Sequence, residues 1–434
     1  MPALLGSLLV VGAAWSVGRL LTRGYDLPGA ARFGFGACLF SLAIFFLVLG
    51  GAANVQTLTA AAVVALLPAL WFRPRLPSRP RGGGSDAATW IFAATALVYA
   101  AVYLVHAAAP EIQPDGARYH LALVREWLRL GGFPERIGFY EVLPQGMELL
   151  FLPAYAIGGA SAAKLVHFAF LAASVPLLLD IGQRLGAPAW AGPAAAVLYA
   201  CAPVTGVAGT SAYNDAALAF FALLTFHALL AWRGRPSARL MALAGLAAGF
   251  CYAVKPTGAV IPAGAVLFLL ARRRWRPAAL FSAAAAATMA PWLARNAVWT
   301  GNPFAPLLNG VFENPYFAAA LDASLGRHLQ SYGGLTPASL PWEITAVGVR
   351  TQGFVGVMFL LAPLALLALR KPAERLLLLA ALVAAVPWAF NFGARFLMPA
   401  LPFLALALMA SLPRRMALAV AAVHSVLCLP PAMD

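Results

Sequence analysis

The sequence has little charge and almost no lysine. Only 10% of its 434 residues are Asp, Glu, Lys or Arg, whereas a soluble domain carries about 25%. This deficit excludes an ordinary globular protein in water. Arginine outnumbers lysine 27 to 3, so each lysine is conspicuous.

Cysteine is also scarce, and its spacing carries no metal motif. The four cysteines lie in apolar runs without CxxC spacing, which is typical of small core residues (Cys38, Cys201, Cys251 and Cys428). Strand-like alternation of polar and apolar residues is absent, which argues against an outer-membrane barrel. The first apolar run, Leu4 to Leu21, has no basic region before it and no small-residue cleavage site. It is therefore interpreted as a retained helix instead of a signal peptide.

Long runs of apolar residues make up most of the sequence. The residues are 62% hydrophobic, and the runs are about 15 to 22 residues long, close to the length that crosses a bilayer core. Backbone groups in lipid must be satisfied internally, so these runs are predicted helices. The predicted fold is an all-α polytopic membrane protein with about 11–14 transmembrane helices. The predicted spans are 3–21, 34–52, 57–72, 88–108, 163–180, 188–206, 213–232, 240–254, 257–271, 277–297, 354–369, 375–392, 395–411 and 415–430.

Basic residues mark one side of these spans. Seven short arginine-rich loops alternate with loops that are poor in arginine, so the positive-inside rule places all seven in the cytoplasm. They are Arg19/Arg23/Arg32, 73–81, Arg184, 233–239, 272–276, 370–375 and Arg414/Arg415. Both termini then lie outside, provided that stretch 147–160 does not cross the membrane. The net charge of +15 is explained by topology, and nucleic-acid binding is not expected.

The chain divides into two predicted domains. Residues 1–87 form a three-helix module that ends in a basic, glycine-rich cytoplasmic linker at 73–85. Residues 88–434 form the larger transmembrane domain, which has two long outer loops at about 109–162 and 299–353. Outer connections of this length are often functional.

The first outer loop contains the leading candidate residue, Asp115. An amphipathic helix is predicted from Ala117 to Leu130, lying in the membrane interface. Asp115 precedes this helix, so it serves either as a helix cap or as a general base that removes a proton from a hydroxyl or amine. Neighbouring Tyr119 and His120 are candidate substrate contacts, although an interfacial position is favoured for His120. The other loop carboxylates are expected to be solvated charges (Glu111, Glu126, Glu135, Glu141 and Glu148).

Four more charged residues lie at predicted outer helix ends. Asp215, in the YND segment after Tyr213 and Asn214, is either a helix cap or a functional acid at a membrane boundary. Lys255 precedes Pro256 and is favoured as a phosphate contact over a snorkelling lysine. Arg295 and Arg395 depart from the positive-inside trend, and arginine suits forked contacts to phosphate.

At these residues the chain resembles the GT-C class of polyprenyl-phosphate-sugar-dependent glycosyltransferases. The bacterial relatives of protein O-mannosyltransferases and the lipid A aminoarabinose transferase are the most similar members. The resemblance rests on the order of PDGARYHLALVREWLRLGGF, LPQGMELLFLPAYAIGG, YND, KPTG, PWLARN with TGNPFAP, and GARFLMPALP. These motifs extend over about residues 88–410.

The resemblance implies a function and site roles. A polyprenyl-phosphate-linked sugar would be cleaved with inversion and transferred to a protein, lipid or glycan on the periplasmic face of a bacterial inner membrane. Asp115 matches the catalytic aspartate that activates the acceptor, and Asp215 matches a second acidic position. Tyr119, His120, Tyr213, Asn214, Lys255, Arg295 and Arg395 would contact substrate. Gly116 replaces the acidic residue that follows the aspartate in mannosyltransferases, and no Asp-x-Asp motif is present, so neither metal nor cofactor is expected.

Two other functions are compatible with the pattern. A transporter or lipid flippase would explain the many spans, and helices 240–254 and 257–271 around KPTG would then form a broken helix. However, no internal repeat is evident, and the charges lie at the outer edge. An O-antigen polymerase or ligase would explain the outer arginines but not the acidic first loop.

Overall fold

The computed structural model describes residues 1–71, 87–330 and 334–433, and every regular element in these ranges is helical. The predicted linker at 73–85 lies outside them. The α-helices are α1 (Pro2–Leu21), α2 (Gly29–Leu49), α3 (Val55–Trp71), α4 (Ala87–Ala108), α5 (Leu121–Leu130), α6 (Gly146–Arg184), α7 (Ala191–Ala200), α8 (Pro203–Thr210), α9 (Asp215–Gly234), α10 (Ala238–Val254), α11 (Val260–Ala271), α12 (Trp275–Thr300), α13 (Ala320–Gln330), α14 (Leu340–Trp342), α15 (Arg375–Ala385), α16 (Leu401–Ser411), α17 (Arg414–Leu427) and α18 (Leu429–Met433). Four 3₁₀ segments (Pro256–Ala259, Val357–Arg370, Val386–Ala389, Ala394–Leu397) and two π segments (Gly116–His120, Glu343–Val347) complete the list.

The all-α polytopic prediction is confirmed. Within the described residues, six helices are long and apolar enough to cross a membrane, or seven if the bent pair α7–α8 is one span. Six shorter apolar helices accompany them, and a helix lies over each of the fourteen predicted spans. The number of crossings stays a prediction because the shorter apolar helices have 10–17 residues, at or below the length that usually crosses a bilayer core.

Proline and glycine determine where the long helices break. Gly159 has φ 68° and ψ −158°, a conformation that only glycine adopts readily, and it divides α6 into 146–158 and 160–184. The stretch 147–160 therefore forms a helical segment distinct from the following span. Pro203 begins α8 after a 66° bend from α7, since proline cannot donate the hydrogen bond that would continue α7.

The first helices pack closely against the rest of the chain. A Cβ on Gly36 of α2 would lie 1.7 Å from the carbonyl oxygen of Ala14, and one on Gly158 of α6 would lie 2.5 Å from that of Pro2. Small residues at such crossings let helix backbones approach in lipid. Helices α1 and α2 share one continuous apolar core with α6, α9 and α10. The predicted division at residue 87 stays a prediction.

The predicted amphipathic helix is present, with an apolar face turned inward. After a π turn at Gly116–His120, α5 buries Leu121, Val124 and Trp127, while its arginines are exposed (Arg125 and Arg129). Gly131 ends α5 in the left-handed conformation (φ 76°), as is common at helix C-termini.

Two sets of loops gather at opposite ends of the molecule. At one end, Tyr25 donates a hydrogen bond to Ser237 (2.8 Å), and the guanidinium groups of Arg235 and Arg239 lie over its ring. The other end is formed by three segments: the loop after α4, the turn before α9 and the break after α10. Helix α9 joins the two ends and is about 30 Å long at 1.5 Å per residue. The second set of loops carries the candidate site.

Candidate functional site

Four charged side chains form a connected row at this end of the helices. Arg395 donates a hydrogen bond from Nη2 to Asp115 Oδ2 (2.8 Å), and its Nε lies 4.0 Å from Asp215 Oδ2. Lys255 donates from Nζ to Asp215 Oδ1 (2.6 Å). The row therefore alternates in sign: Asp115, Arg395, Asp215, Lys255. Residues separated by up to 280 positions in the sequence meet here.

The local backbone explains how two of these side chains reach the row. Pro256 disfavours helical geometry at the residue before it, so Lys255 is extended (φ −159°, ψ 136°) between α10 and the following 3₁₀ segment. Arg395 lies in the 3₁₀ segment Ala394–Leu397, whose first N–H donates to the Thr351 carbonyl (2.7 Å). Both cations thus stand at interruptions between helices, where side chains can converge on one point.

The two aspartates stand at helix starts, yet neither side chain makes a capping hydrogen bond. Asp115 is the N-cap of the π segment, and Asp215 is the first residue of α9 after Asn214. Their carboxylates instead contact Arg395 and Lys255. The contacts that a helix cap would need are thus not formed among the described residues, and the functional roles of both aspartates stay predictions.

Exposure differs along the row. Asp215 is 3% exposed at its side chain, Lys255 16%, Arg395 21% and Asp115 32%. A narrow pocket lined by Asp215, Lys255 and Arg395, with Thr257, Pro387 and Phe396, opens beside the cations. Burial alone would lower the pKa of Arg395, but Asp215 and Asp115 raise it above its ordinary value. Arg395 is therefore a permanent cation, and Asp115 is the carboxylate most accessible to a reactant.

Aromatic rings border the row. The Arg395 guanidinium lies 4.6 Å from the centre of the Tyr213 ring. Tyr119 stacks on Tyr140 with ring centres 4.2 Å apart and planes 7° apart. Burial raises the pKa of Tyr213 to about 12 and also raises that of Tyr119. Both hydroxyl groups therefore remain neutral at physiological pH.

His120 is buried and paired, which differs from its expected interfacial position. Its Nδ1 contacts Oε1 of Glu148, and both side chains are 2% exposed. The expectation of solvated charge is wrong for Glu148 and for Glu141, which is 6% exposed and accepts from Arg136 (2.5 Å). The reason is that Gly146 begins α6 earlier than the predicted span, so this part of the loop turns into the core.

Asn214 also has a partner within the protein. Its Nδ2 donates to the Val254 carbonyl (3.0 Å), and the side chain is buried. This bond joins the start of α9 to the end of α10, so Asp215 and Lys255 are held together. The role of Asn214 as a substrate contact stays a prediction.

Arg295 contacts backbone carbonyls of the first long loop. It is 4% exposed, and its Nη2 donates to the carbonyls of Glu141 (2.9 Å) and Leu143 (3.2 Å). The guanidinium also lies 4.8 Å from the ring centres of Trp292 and Trp299. Arg295 thus anchors loop 138–145 to α12, and its role as a phosphate contact stays a prediction.

Three further polar residues near the row were given no functional role from the sequence pattern. They are Glu111 in the loop after α4, and Lys164 and His167 within α6. The expectation of solvated charge is wrong for Glu111 too, because its carboxylate is half-buried and accepts from the backbone amides of Gln113 and Ala212. The position of Lys164 inside the predicted span 163–180 was the one signal in the sequence that could have pointed to it, since charged residues within membrane spans are rare. Within the described ranges, no group of three His, Cys, Asp or Glu side chains is arranged to hold a metal ion.

Comparison with solved structures identifies the fold. The chain is similar to ArnT from Cupriavidus metallidurans bound to undecaprenyl phosphate, with a TM-score of 0.50 and 18% identity over 75% of this chain and 60% of that one. It is also similar to ArnT from the same organism in the apo state (TM-score 0.48, 20% identity, 76% and 62%). The chain therefore spans about three fifths of the length of these proteins. No protein-family model and no curated protein sequence matches it. The predicted GT-C-like fold is confirmed.

Proposed function

We propose that this chain is a membrane glycosyltransferase that transfers a sugar from a polyprenyl-phosphate donor to an acceptor, with inversion at the anomeric carbon. The row of alternating charges beside a pocket, on a GT-C-like fold, carries this proposal. A lipid-linked donor is confined to the bilayer, so a site at the ends of membrane helices suits it. The similar ArnT structure contains undecaprenyl phosphate, which supports a donor of that type.

Asp115 acts as the general base in this proposal. It is the most exposed carboxylate of the row and accepts the proton of an acceptor hydroxyl or amine as that atom bonds to the anomeric carbon. The bond between the anomeric carbon and the phosphate oxygen breaks, and polyprenyl phosphate leaves. Attack from the face opposite the phosphate gives inversion.

Lys255 and Arg395 stabilise the departing phosphate. Fixed cations act most strongly where charge develops in the transition state, and both line the pocket. Asp215 lies 2.6 Å from Lys255 and 4.0 Å from Arg395, so it holds the two cations in place until phosphate arrives. Tyr213 and Tyr119 border the same space and are proposed substrate contacts.

The site is proposed to face the periplasm of a bacterial inner membrane. Arg235 and Arg239, with other basic residues, lie at the opposite end of α9 from Asp215. The positive-inside rule assigns that basic end to the cytoplasm. The acceptor, whether protein, lipid or glycan, would then approach from outside.

Sugar release from a panel of labelled polyprenyl-phosphate sugars tests the function. Purified wild type is expected to cleave one donor, and Asp115→Asn to lose about 100-fold or more of that rate while still binding the donor. Asn has the shape of Asp but cannot take a proton. Exposed Asp26→Asn, at the opposite end, is the matched control.

Three results would overturn the proposal or a part of it. Unchanged turnover in Asp115→Asn would remove the base role. Movement of intact donor across vesicles without cleavage would indicate a flippase. Transfer of a whole lipid-linked glycan from its diphosphate carrier, with no use of monophosphate sugars, would indicate a polymerase or ligase.

A further inference from the structure

Lys164 binds the segment that leads to Asp115. This lysine lies inside α6 and is 4% exposed. Its Nζ donates to the carbonyl oxygens of Ala109 (2.9 Å) and Pro110 (3.1 Å). Those carbonyls follow the end of α4, where the chain turns towards the row of charges. A buried ammonium in an apolar helix is costly, so its contacts with this one turn require an explanation.

His167 binds the segment that leads to Asp215. It lies one helical turn after Lys164 and is fully buried. Its Nδ1 lies 2.8 Å from the Ser211 carbonyl oxygen, and its Nε2 accepts from the Ala217 amide (3.3 Å). One imidazole thus spans the turn on both sides of Asp215, and these two bonds require a neutral ring with its proton on Nδ1.

Glu111 joins the two segments to each other. Its carboxylate accepts from the Gln113 amide (2.8 Å) and from the Ala212 amide. A Cβ on Gly116 would lie 2.6 Å from this carboxylate, which gives a physical reason for glycine directly after Asp115. The loop of one aspartate is therefore bonded to the turn of the other.

We propose that Lys164 and His167 are positioning residues for the reaction, with Glu111 as the link between the segments that they hold. Residues three apart lie on the same helix face, so one face of α6 carries both contacts. Because α6 is a long, packed helix, it provides a fixed frame for Asp115 and for the pair Asp215–Lys255. This inference rests on the proposed glycosyltransferase function.

The two residues act on different steps, which makes their roles separable. Lys164→Met frees the Asp115 segment, so kcat is expected to fall about 10- to 100-fold, as displacement of a reacting group by about 1 Å does. The KM for donor should change little. His167→Leu frees the turn that holds Asp215 beside Lys255, so the KM for donor should rise about 10-fold or more.

A double-mutant cycle distinguishes positioning from general stability. In the Asp115→Asn background, Lys164→Met should have no further effect on the residual rate, since its target no longer functions. Lys164→Arg should recover part of kcat, because arginine can also donate to both carbonyls. If Lys164→Met does not fold, Lys164→Gln, which keeps one donor group, replaces it. Lys371→Met removes a lysine whose partner is Glu374 and serves as the control.

The outcomes separate this inference from the function on which it rests. If wild type cleaves no donor, the proposed function fails. If wild type cleaves donor and Lys164→Met is folded with unchanged kcat, the positioning role is wrong. Equal losses in the wild-type and Asp115→Asn backgrounds would also overturn it, because they would show that Lys164 does not act through Asp115.

Discussion

Asp215 is a charged residue at the start of α9, and its side chain is almost completely buried. A lone carboxylate there would be strongly destabilising, but Lys255 at 2.6 Å and Arg395 at 4.0 Å compensate it. Arg395 is shared with Asp115, so the four charges form one network. Under the proposed function, such sharing would let an incoming phosphate replace a carboxylate at a cation without leaving a buried charge unpaired.

The buried Arg295 gives a prediction that separates anchoring from phosphate binding. Arg295→Met leaves the carbonyls of Glu141 and Leu143 without their charged donor. The free energy of unfolding should fall by about 2–4 kcal/mol, since hydrogen bonds to charged groups contribute about 1.5–3 kcal/mol each. Donor affinity of the folded variant should stay within about twofold of wild type. Thermal unfolding in detergent and donor titration measure these two effects.

Lys255→Met is the matched control for Arg295→Met. It removes a cation that lines the pocket, so it should weaken donor binding by about 10-fold or more. A loss of donor affinity in Arg295→Met equal to that in Lys255→Met would restore Arg295 as a phosphate contact.

The raised pKa of Tyr213 predicts a specific behaviour at high pH. Burial disfavours the phenolate, so Tyr213 should ionise near its pKa of about 12 instead of the ordinary value of about 10. At about pH 10.5 it should still be neutral. Phenolate absorbance at that pH should therefore be equal in folded wild type and Tyr213→Phe. One fewer ionised tyrosine in the variant at that pH would contradict this expectation.

The candidate site is brought together by interruptions between helices. Lys255 is extended because Pro256 follows it, and Arg395 lies in a short 3₁₀ segment before α16. Uninterrupted helices would keep these side chains on their own surfaces. The interruptions direct them to a common point, and backbone irregularity at membrane depth is tolerated where it lines a cavity.

The crossing of α1 and α2 gives a prediction at the scale of elements. A Cβ on Gly36 would clash with the backbone of Ala14 and Gly18, which cannot move aside as a flexible side chain can. Gly36→Ala should lower the free energy of unfolding by about 1–3 kcal/mol. Gly234→Ala is the control, since its added Cβ would meet no atom within 4 Å apart from its chain neighbours and its own helix backbone. Equal unfolding temperatures for both variants would argue against this close crossing.

The molecule as a whole has a basic end and an opposite end that carries the row of four charged residues. Tyr25, Arg235, Arg239 and Ser237 meet at the first end, and Asp115, Asp215, Lys255 and Arg395 meet at the second. Helix α9 separates them by roughly the thickness of a bilayer core. This polarity supports a site that opens on one face of the membrane only.

Cysteine labelling tests the sidedness of the whole molecule. The four native cysteines are buried, so they should not react with a membrane-impermeant maleimide. Ala319→Cys, in the exposed second outer segment, should be labelled in intact spheroplasts. Ala238→Cys, at the exposed start of α10, should be labelled only after lysis. The reverse pattern would place the site in the cytoplasm.

The sequence by itself determined the all-α membrane fold, the approximate positions of the apolar helices and which charged residues to examine first. These follow from local properties, because run length and charge placement depend on neighbouring residues alone. Asp115, Asp215, Lys255 and Arg395 were all nominated on such grounds, and they meet in one row.

Only the tertiary structure decided which charges share partners. Arg295 and Arg395 occupy similar positions at helix ends, yet one anchors a loop and the other bridges two aspartates. Glu148 belongs to a predicted loop rich in charge, but it lies in the first turn of α6 and is buried against His120. Such differences depend on contacts between residues far apart in the chain, and one sequence contains no record of those distances.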